Sequence, residues 1–87
     1  MINLIKIYID KIKKEDIKIF LNNNGINLSE KELEYAYYII KNKYELILND
    51  NKSIFDDIKE KISEDNYIKL MELYNNYKTK YFGKSNE

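Results

Sequence analysis

The sequence predicts an all-α fold, a compact bundle of four to five helices around one long central helix. Apolar residues recur at steps of three and four along most of the chain, which is the spacing of one helix face. The chain has no proline and two glycines, so little interrupts long helices. Its 44% hydrophobic and 34% charged content is typical of a folded domain. We predict one domain over residues 1–82 and a frayed tail over residues 83–87.

The central helix is predicted over residues 29–48. Ser29 is a suitable N-cap, and Glu32 three residues later completes a capping box. The apolar residues of this helix fall on two faces. The first face carries Leu33, Ala36, Tyr37, Ile40, Tyr44 and Ile47, and the second carries Tyr35, Ile39 and Leu46. A helix that is apolar on two sides usually lies buried between neighbours.

The second face, Tyr35, Ile39 and Leu46, is our candidate interaction face, and two explanations for it are open. In one, another helix of the same chain covers it. In the other, the bundle is too small to cover both faces, and this one meets a partner or a second copy. Tyrosine is enriched at interfaces, but two-faced helices are usually interior, which favours burial within the monomer.

Two shorter helices are predicted before the central one. Residues 2–12 carry one apolar stripe, which favours a packing helix over the competing strand that the alternation of Ile5–Ile9 would allow. A membrane-surface helix is the functional alternative, because lysines accompany that stripe. The apolar phase slips near Lys13–Lys14, where we place a break. Glu15–Asp16 suits the first turn of the second helix. That helix is predicted to end at Gly25, where Leu21 can contact Ile26 in a Schellman motif.

Two further helices are predicted after a polar loop over residues 49–53. Ser53 is the predicted cap of a short helix, and Ser63 is the predicted cap of the last helix, which ends at Gly83. The apolar residues of the short helix are Ile54, Phe55, Ile58 and Ile62. Those of the last helix are Tyr67, Leu70, Met71, Tyr74, Tyr77 and Tyr81.

The composition excludes several kinds of chemistry. Without cysteine or histidine there are no disulfides, thiolate nucleophiles, Cys/His zinc sites or histidine acid–base catalysis. The carboxylates of Asp56, Asp57 and Glu60 lie at one-turn spacing, but nothing in the sequence indicates an apolar pocket that would shift a pKa. We therefore predict a protein that is not an enzyme and that has no cofactor.

A calcium site is the metal site that the spacing best resembles. The oxygen positions of an EF-hand loop fall on Asn49, Asn51, Ser53, Asp57 and Glu60. Ile54 stands where that loop needs glycine for its sharp turn. We therefore predict no metal site.

A nucleic-acid-associated protein is the alternative function. Residues 13–33 resemble the helix, extended loop and helix of SAP-type modules, some of which bind DNA. The second of these helices opens with Glu30, Glu32 and Glu34, the net charge is +0 and arginine is absent, all of which oppose phosphate binding. The alternative nucleic-acid contacts, from the aromatic and basic C-terminal run, are Lys78, Lys80, Tyr81 and Lys84.

The sequence thus predicts a non-enzymatic protein-interaction or adaptor module, with a structural homodimer as a further alternative. The expected partner is a protein or a second copy. The N-terminus lacks the features of a signal peptide, and no run is long enough to cross a bilayer, so a cytoplasmic location is expected.

Three stretches resemble one family of short Firmicute proteins, catalogued as a domain of unknown function. They are KIKKEDIKIFLNNNGINLSEKELEYAYYIIKN, SIFDDIKEKIS and NYIKLMELYNNYK, and the likeness covers about residues 9–82. The matching features are Glu15–Asp16, the GINLS connection, and the Ile54–Phe55 pair followed by Ser63. The resemblance implies an all-helical fold and a bacterial cytoplasmic setting, and it implies no activity or functional residue.

Overall fold

A computed structural model describes residues 4–81, which form an all-α bundle, as predicted. Its five helices are α1 (Leu4–Lys11), α2 (Lys14–Asn23), α3 (Glu30–Leu48), α4 (Lys52–Lys61) and α5 (Glu64–Tyr81). The long helix α3 is central, because it packs against α1, α2 and α4, whereas α5 packs against α4. Over residues 4–81 the chain contains no strand.

Local sequence signals set both ends of the loop between α2 and α3. The Ser29 hydroxyl accepts a hydrogen bond from the Glu32 N–H at 3.2 Å, and the Glu32 carboxylate accepts one from the Ser29 N–H at 2.9 Å. Gly25 has a φ of 79°, and the Ile26 N–H donates to the Leu21 carbonyl at 2.9 Å, which is the Schellman pattern. The predicted capping box and the predicted Schellman motif are both confirmed.

The boundaries differ from the prediction at the starts of α2 and α4. Lys14 is the first residue of α2, so the break lies at residues 12–13. The cap of α4 is Asn51, not Ser53, since the Asn51 side chain accepts a hydrogen bond from the Ile54 N–H at 3.1 Å. The cause lies at Asp50, whose φ of 56° turns the chain into α4 two residues earlier than predicted.

The cap of the last helix is confirmed, because the Ser63 hydroxyl accepts a hydrogen bond from the Asn66 N–H at 3.4 Å. The predicted end at Gly83 and the tail over residues 83–87 lie outside the described residues.

The densest packing lies between α2 and α3. Four side chains that are between 1% and 6% exposed form this core cluster: Ile17, Leu21, Ile26 and Leu33. Leu70 and Leu73 of α5 pack against its margin while remaining partly exposed. No described side chain of α5 is fully buried, so this helix closes the bundle only loosely.

The second apolar face of α3 does not form one exposed surface. Ile39 is 3% exposed and lies inside the monomer, Tyr35 is half-buried, and Leu46 is 37% exposed. Lys43 lies between the two ends of this face with non-helical angles, φ −137° and ψ 22°, so Leu46 does not continue the register of Ile39. The burial of Ile39 agrees with the explanation that the sequence favours, burial within the monomer, and an interface role for Tyr35, Ile39 and Leu46 stays a prediction.

Candidate functional site

An apolar crevice of about 300 Å³ lies between α3, α4 and α5, with Phe20 of α2 also in its lining, and we call it the α5 crevice. It is lined chiefly by aliphatic and aromatic side chains, which include Ala36, Ile47, Phe55, Ile58, Met71 and Tyr74. Sequence reasoning expected no such pocket. Periodicity places these residues on the inner faces of their helices, but it does not give the spacing between helices.

The start of α5 is fixed to the start of α3 through the Glu32 carboxylate. This carboxylate, already part of the capping box, also accepts hydrogen bonds from the Ser63 N–H at 2.7 Å and the Asn66 amide at 3.1 Å. Burial alone would raise the pKa of Glu32, but the hydrogen bonds from Ser63, Ser29 and Asn66 together outweigh it and lower the pKa. We call Glu32, Ser63 and Asn66 the N-terminal clamp.

The second half of α5 is fixed to the end of α3 through Asp50. The Asp50 carboxylate forms an ion pair with Lys78, and the single proton of the Tyr74 hydroxyl is shared between two acceptors, the Ile47 carbonyl at 2.9 Å and Asp50 at 3.1 Å. The hydrogen bond from Lys78 is the main cause that lowers the pKa of Asp50. Burial, and then the Asp50 carboxylate, raise the pKa of Tyr74 to about 12. We call Asp50, Tyr74 and Lys78 the C-terminal clamp.

The α4 side of the crevice carries a third polar contact. The Tyr35 hydroxyl donates to the Asp57 carboxylate, which also pairs with Lys61 at 3.2 Å. Burial and then Asp57 raise the pKa of Tyr35, while Tyr35 and then Lys61 lower the pKa of Asp57. A carboxyl group with a lowered pKa is ionised at neutral pH, so Asp57 is an acceptor here and not a general acid.

The remaining acidic residues that the sequence singled out also have structural partners. Asp56 pairs with Lys52 at 2.9 Å, and the Lys14 ammonium pairs with Glu34 at 2.8 Å and with Glu30 at 3.4 Å. Of the calcium-spaced residues, Asn51 caps α4 and Ser53 lies inside its first turn. Across residues 4–81, no three acidic side chains lie close enough together to hold a metal ion.

A second apolar feature lies on the outer side of α1. Leu4 is 72% exposed and Tyr8 is 64% exposed. Ile5, between them in the sequence of the same helix, lines a shallow groove of mixed polarity together with Tyr44, Glu45, Leu48 and Asn49. We call Leu4, Ile5, Tyr8, Tyr44 and Leu48 the α1–α3 face.

The polar contacts of α1 with α3 lie at the last turn of α1. The Lys41 ammonium donates to the carbonyls of Ile9 and Asp10, each at 2.9 Å, and thereby fixes the last turn of α1. In α1 only Ile9 is buried. The sequence predicted one packing stripe along residues 2–12, of which Ile2 lies outside the described residues, and the short stripe leaves Ile5 and Tyr8 exposed.

The alternative nucleic-acid contacts are only partly described. Lys78 is engaged by Asp50 and lies 5.7 Å from the centre of the Tyr74 ring. Lys80 lies on an exposed part of α5, whereas the Tyr81 side chain and Lys84 lie outside the described residues. Nucleic-acid binding by these residues stays a prediction, and Lys78 would have to leave an ion pair to take part.

No protein-family model, curated protein or solved structure matches this chain. Membership of the Firmicute family therefore stays a prediction. Any functional role of the α5 crevice or the α1–α3 face has to be argued from the structure alone. Among residues 4–81, no helix is both long and apolar enough to cross a membrane.

Proposed function

We propose that this protein is a non-enzymatic protein-interaction module and that the α1–α3 face is its docking surface. The observation that carries the proposal is the exposure of Leu4 and Tyr8, two large apolar side chains one turn apart on α1. Clusters of exposed apolar side chains usually mark interaction sites. The Tyr8 ring suits such a site, since tyrosine contributes a large contact area and a polar group.

The charges around this face favour a protein over a lipid surface. Lys6 pairs with Asp10 at 3.0 Å, and Glu45 lies beside the groove. An anionic bilayer attracts a surplus of lysines, whereas a protein interface typically has an apolar centre and a rim of mixed charge. The rim of the α1–α3 face is of this second kind.

The size of the face sets the expected strength of binding. The eight described residues of α1 extend for about 12 Å, at about 1.5 Å per residue. A patch on so short a helix offers less area than the standard interface, which buries about 800 Å² on each partner. We therefore expect a transient complex, in which one or two apolar side chains of the partner enter the groove beside Ile5.

The test replaces Leu4 and Tyr8, the two most exposed of the large apolar side chains whose exposure is described, through Leu4→Glu together with Tyr8→Glu. Both point into solvent, so circular dichroism and the thermal midpoint should not change, while association is lost. Sedimentation velocity over a concentration series measures self-association. Photo-crosslinking from Ile5 in a cell extract, compared between the variant and the wild-type background, measures binding to another protein.

The matched controls are Ile19→Glu and Ile68→Glu, which change exposed apolar residues on α2 and α5. They should leave association unchanged. The proposal fails if the wild-type protein neither self-associates nor forms a crosslink that the Leu4/Tyr8 variant loses. Loss of association in the controls to the same extent would also contradict it, because the effect would then follow from surface charge.

A further inference from the structure

We infer that the α5 crevice is a binding site for a small, uncharged, apolar molecule. This inference is independent of the α1–α3 face, since the two features share no residue. The volume of about 300 Å³ lies at the lower end of the range of small-molecule pockets, about 300–1,000 Å³. Four helices contribute to its walls, with Phe20 from α2, Ala36 from α3, Phe55 from α4 and Met71 from α5.

Two of the three tyrosine hydroxyl groups in the lining are already bonded elsewhere, since Tyr35 donates to Asp57 and Tyr74 donates to the end of α3. The third tyrosine, Tyr77, packs its ring edge-on against Phe20, with 5.9 Å between the ring centroids. A polar group of a ligand placed deep between these walls would lose its bonds to water without replacement, which is unfavourable. An apolar group there would be removed from water and would contact aromatic and aliphatic carbons.

The charged residues near the rim of the α5 crevice also favour an uncharged ligand. Lys61 lies 5.2 Å from the centre of the Tyr35 ring and pairs with Asp57, and Lys78 of the C-terminal clamp pairs with Asp50. An anionic head group would have to displace a carboxylate to reach either ammonium. The site therefore favours a ligand without charge over a fatty-acid-like anion.

The size of the crevice distinguishes a small molecule from a partner helix. A helix with its side chains is about 10–12 Å across, and α5 is fixed over the crevice by a clamp near each end. A docking helix would have to displace α5, whereas a small molecule can enter between the side chains. Met71 makes one wall adaptable, because its unbranched thioether side chain repacks easily.

Binding is tested with two naphthalene probes that fluoresce in apolar surroundings, the uncharged N-phenyl-1-naphthylamine and an anionic anilinonaphthalene sulfonate. We expect saturable binding of the uncharged probe and much weaker binding of the anion. Methyl NMR locates the probe, since Ala36 is the only alanine of the chain and gives one methyl signal. The signals of Ala36 and Met71 should shift with the same titration curve as the fluorescence.

The decisive variant is Ala36→Leu, which places three more carbons in the crevice. Affinity for the uncharged probe should fall by about tenfold or more, because the new side chain occupies the ligand's volume. Lys31→Leu, which adds a leucine to an exposed position of α3, should leave affinity unchanged. If Ala36→Leu does not fold by circular dichroism, Met71→Phe fills the crevice from the opposite wall and replaces it.

Three results would overturn the inference. They are the absence of saturable binding by the wild-type protein, equal affinity in a folded crevice-filling variant, and an anionic probe that binds as tightly as the uncharged one. The Leu4→Glu and Tyr8→Glu variant should bind the probe normally. A loss there would place the probe on the α1–α3 face, so failure of this inference is distinguishable from failure of the proposed function.

Discussion

The two halves of this bundle are stabilised in different ways. Between α2 and α3, four apolar side chains pack until none is more than 6% exposed. The 18-residue helix α5 has no fully buried side chain among those described, and polar clamps near its two ends fix it across an apolar crevice. Segments with few buried contacts open at lower free energy than a packed core. The comparison indicates that α5 can adjust while the α2–α3 half keeps the fold.

The largest expected effect is a loss of stability when a leucine is replaced by alanine, and it should differ between the two halves of the bundle. Leu33→Ala in the α2–α3 cluster should lower the free energy of unfolding by about 2–5 kcal/mol, the usual cost of a cavity in a core. Leu73→Ala beside the crevice should cost less than about 2 kcal/mol, because the side chain is half-buried. Urea melts of both variants measure the difference. Equal losses would mean that α5 is packed as tightly as α2.

The N-terminal clamp is the next test, through Glu32→Gln. One carboxylate serves donors on Ser29, Ser63 and Asn66, and the neutral amide cannot accept all of them equally well. We expect a loss of about 1–2 kcal/mol in a urea melt. Glu30→Gln is the control, since Glu30 is exposed and makes only a long pair with Lys14, and it should change little.

The pH dependence of stability gives a second measure of this clamp. The pKa of Glu32 is lowered in the folded state, so its contribution is complete above the unfolded pKa of about 4.3. It is lost as the pH falls through the folded pKa, because the protonated carboxyl no longer accepts these bonds as strongly. Thermal melts from pH 7 downwards should therefore show a smaller acid-induced loss in Glu32→Gln than in the wild-type protein. Identical pH profiles would contradict this role.

Local sequence signals made the half of the bundle that contains α2 and α3 predictable. The capping box joins Ser29 and Glu32, and the Schellman motif joins Leu21, Gly25 and Ile26, so each lies within six consecutive residues. Such motifs are set by backbone geometry and one or two side chains, and they are readable without knowledge of the tertiary structure. The all-α fold follows from the same kind of short-range information, the spacing of apolar residues.

The position of α5 and the α5 crevice were not predictable, because they depend on contacts between residues far apart in the sequence. Glu32 reaches Ser63, 31 residues away, and Asn66, 34 residues away, and nothing in a capping box indicates that it will accept further bonds. Periodicity also assumes a straight helix, whereas the non-helical angles at Lys43 change the register before Leu46. The crevice depends on distances between helices, which no single helix encodes.

Substitution in the C-terminal clamp should have the smallest effect on stability. It is also the most direct test of whether α5 can move while α2 and α3 keep the fold. Asp50 has a φ of 56°, a conformation that asparagine also tolerates, so Asp50→Asn keeps the backbone while it removes the charge that pairs with Lys78. The pair is exposed to solvent, and the change in thermal midpoint should be smaller than for Glu32→Gln.

Hydrogen exchange then shows whether the two clamps act separately. In Asp50→Asn, amide exchange should become faster over residues 74–81, because the end of α5 opens without the start of the helix. In Glu32→Gln the faster exchange should appear at the start of α5 instead. Faster exchange along the whole of α5 in both variants would mean that the helix opens as one unit. The crevice would then be exposed by either change, and uptake of an apolar molecule would depend on movement of the entire helix.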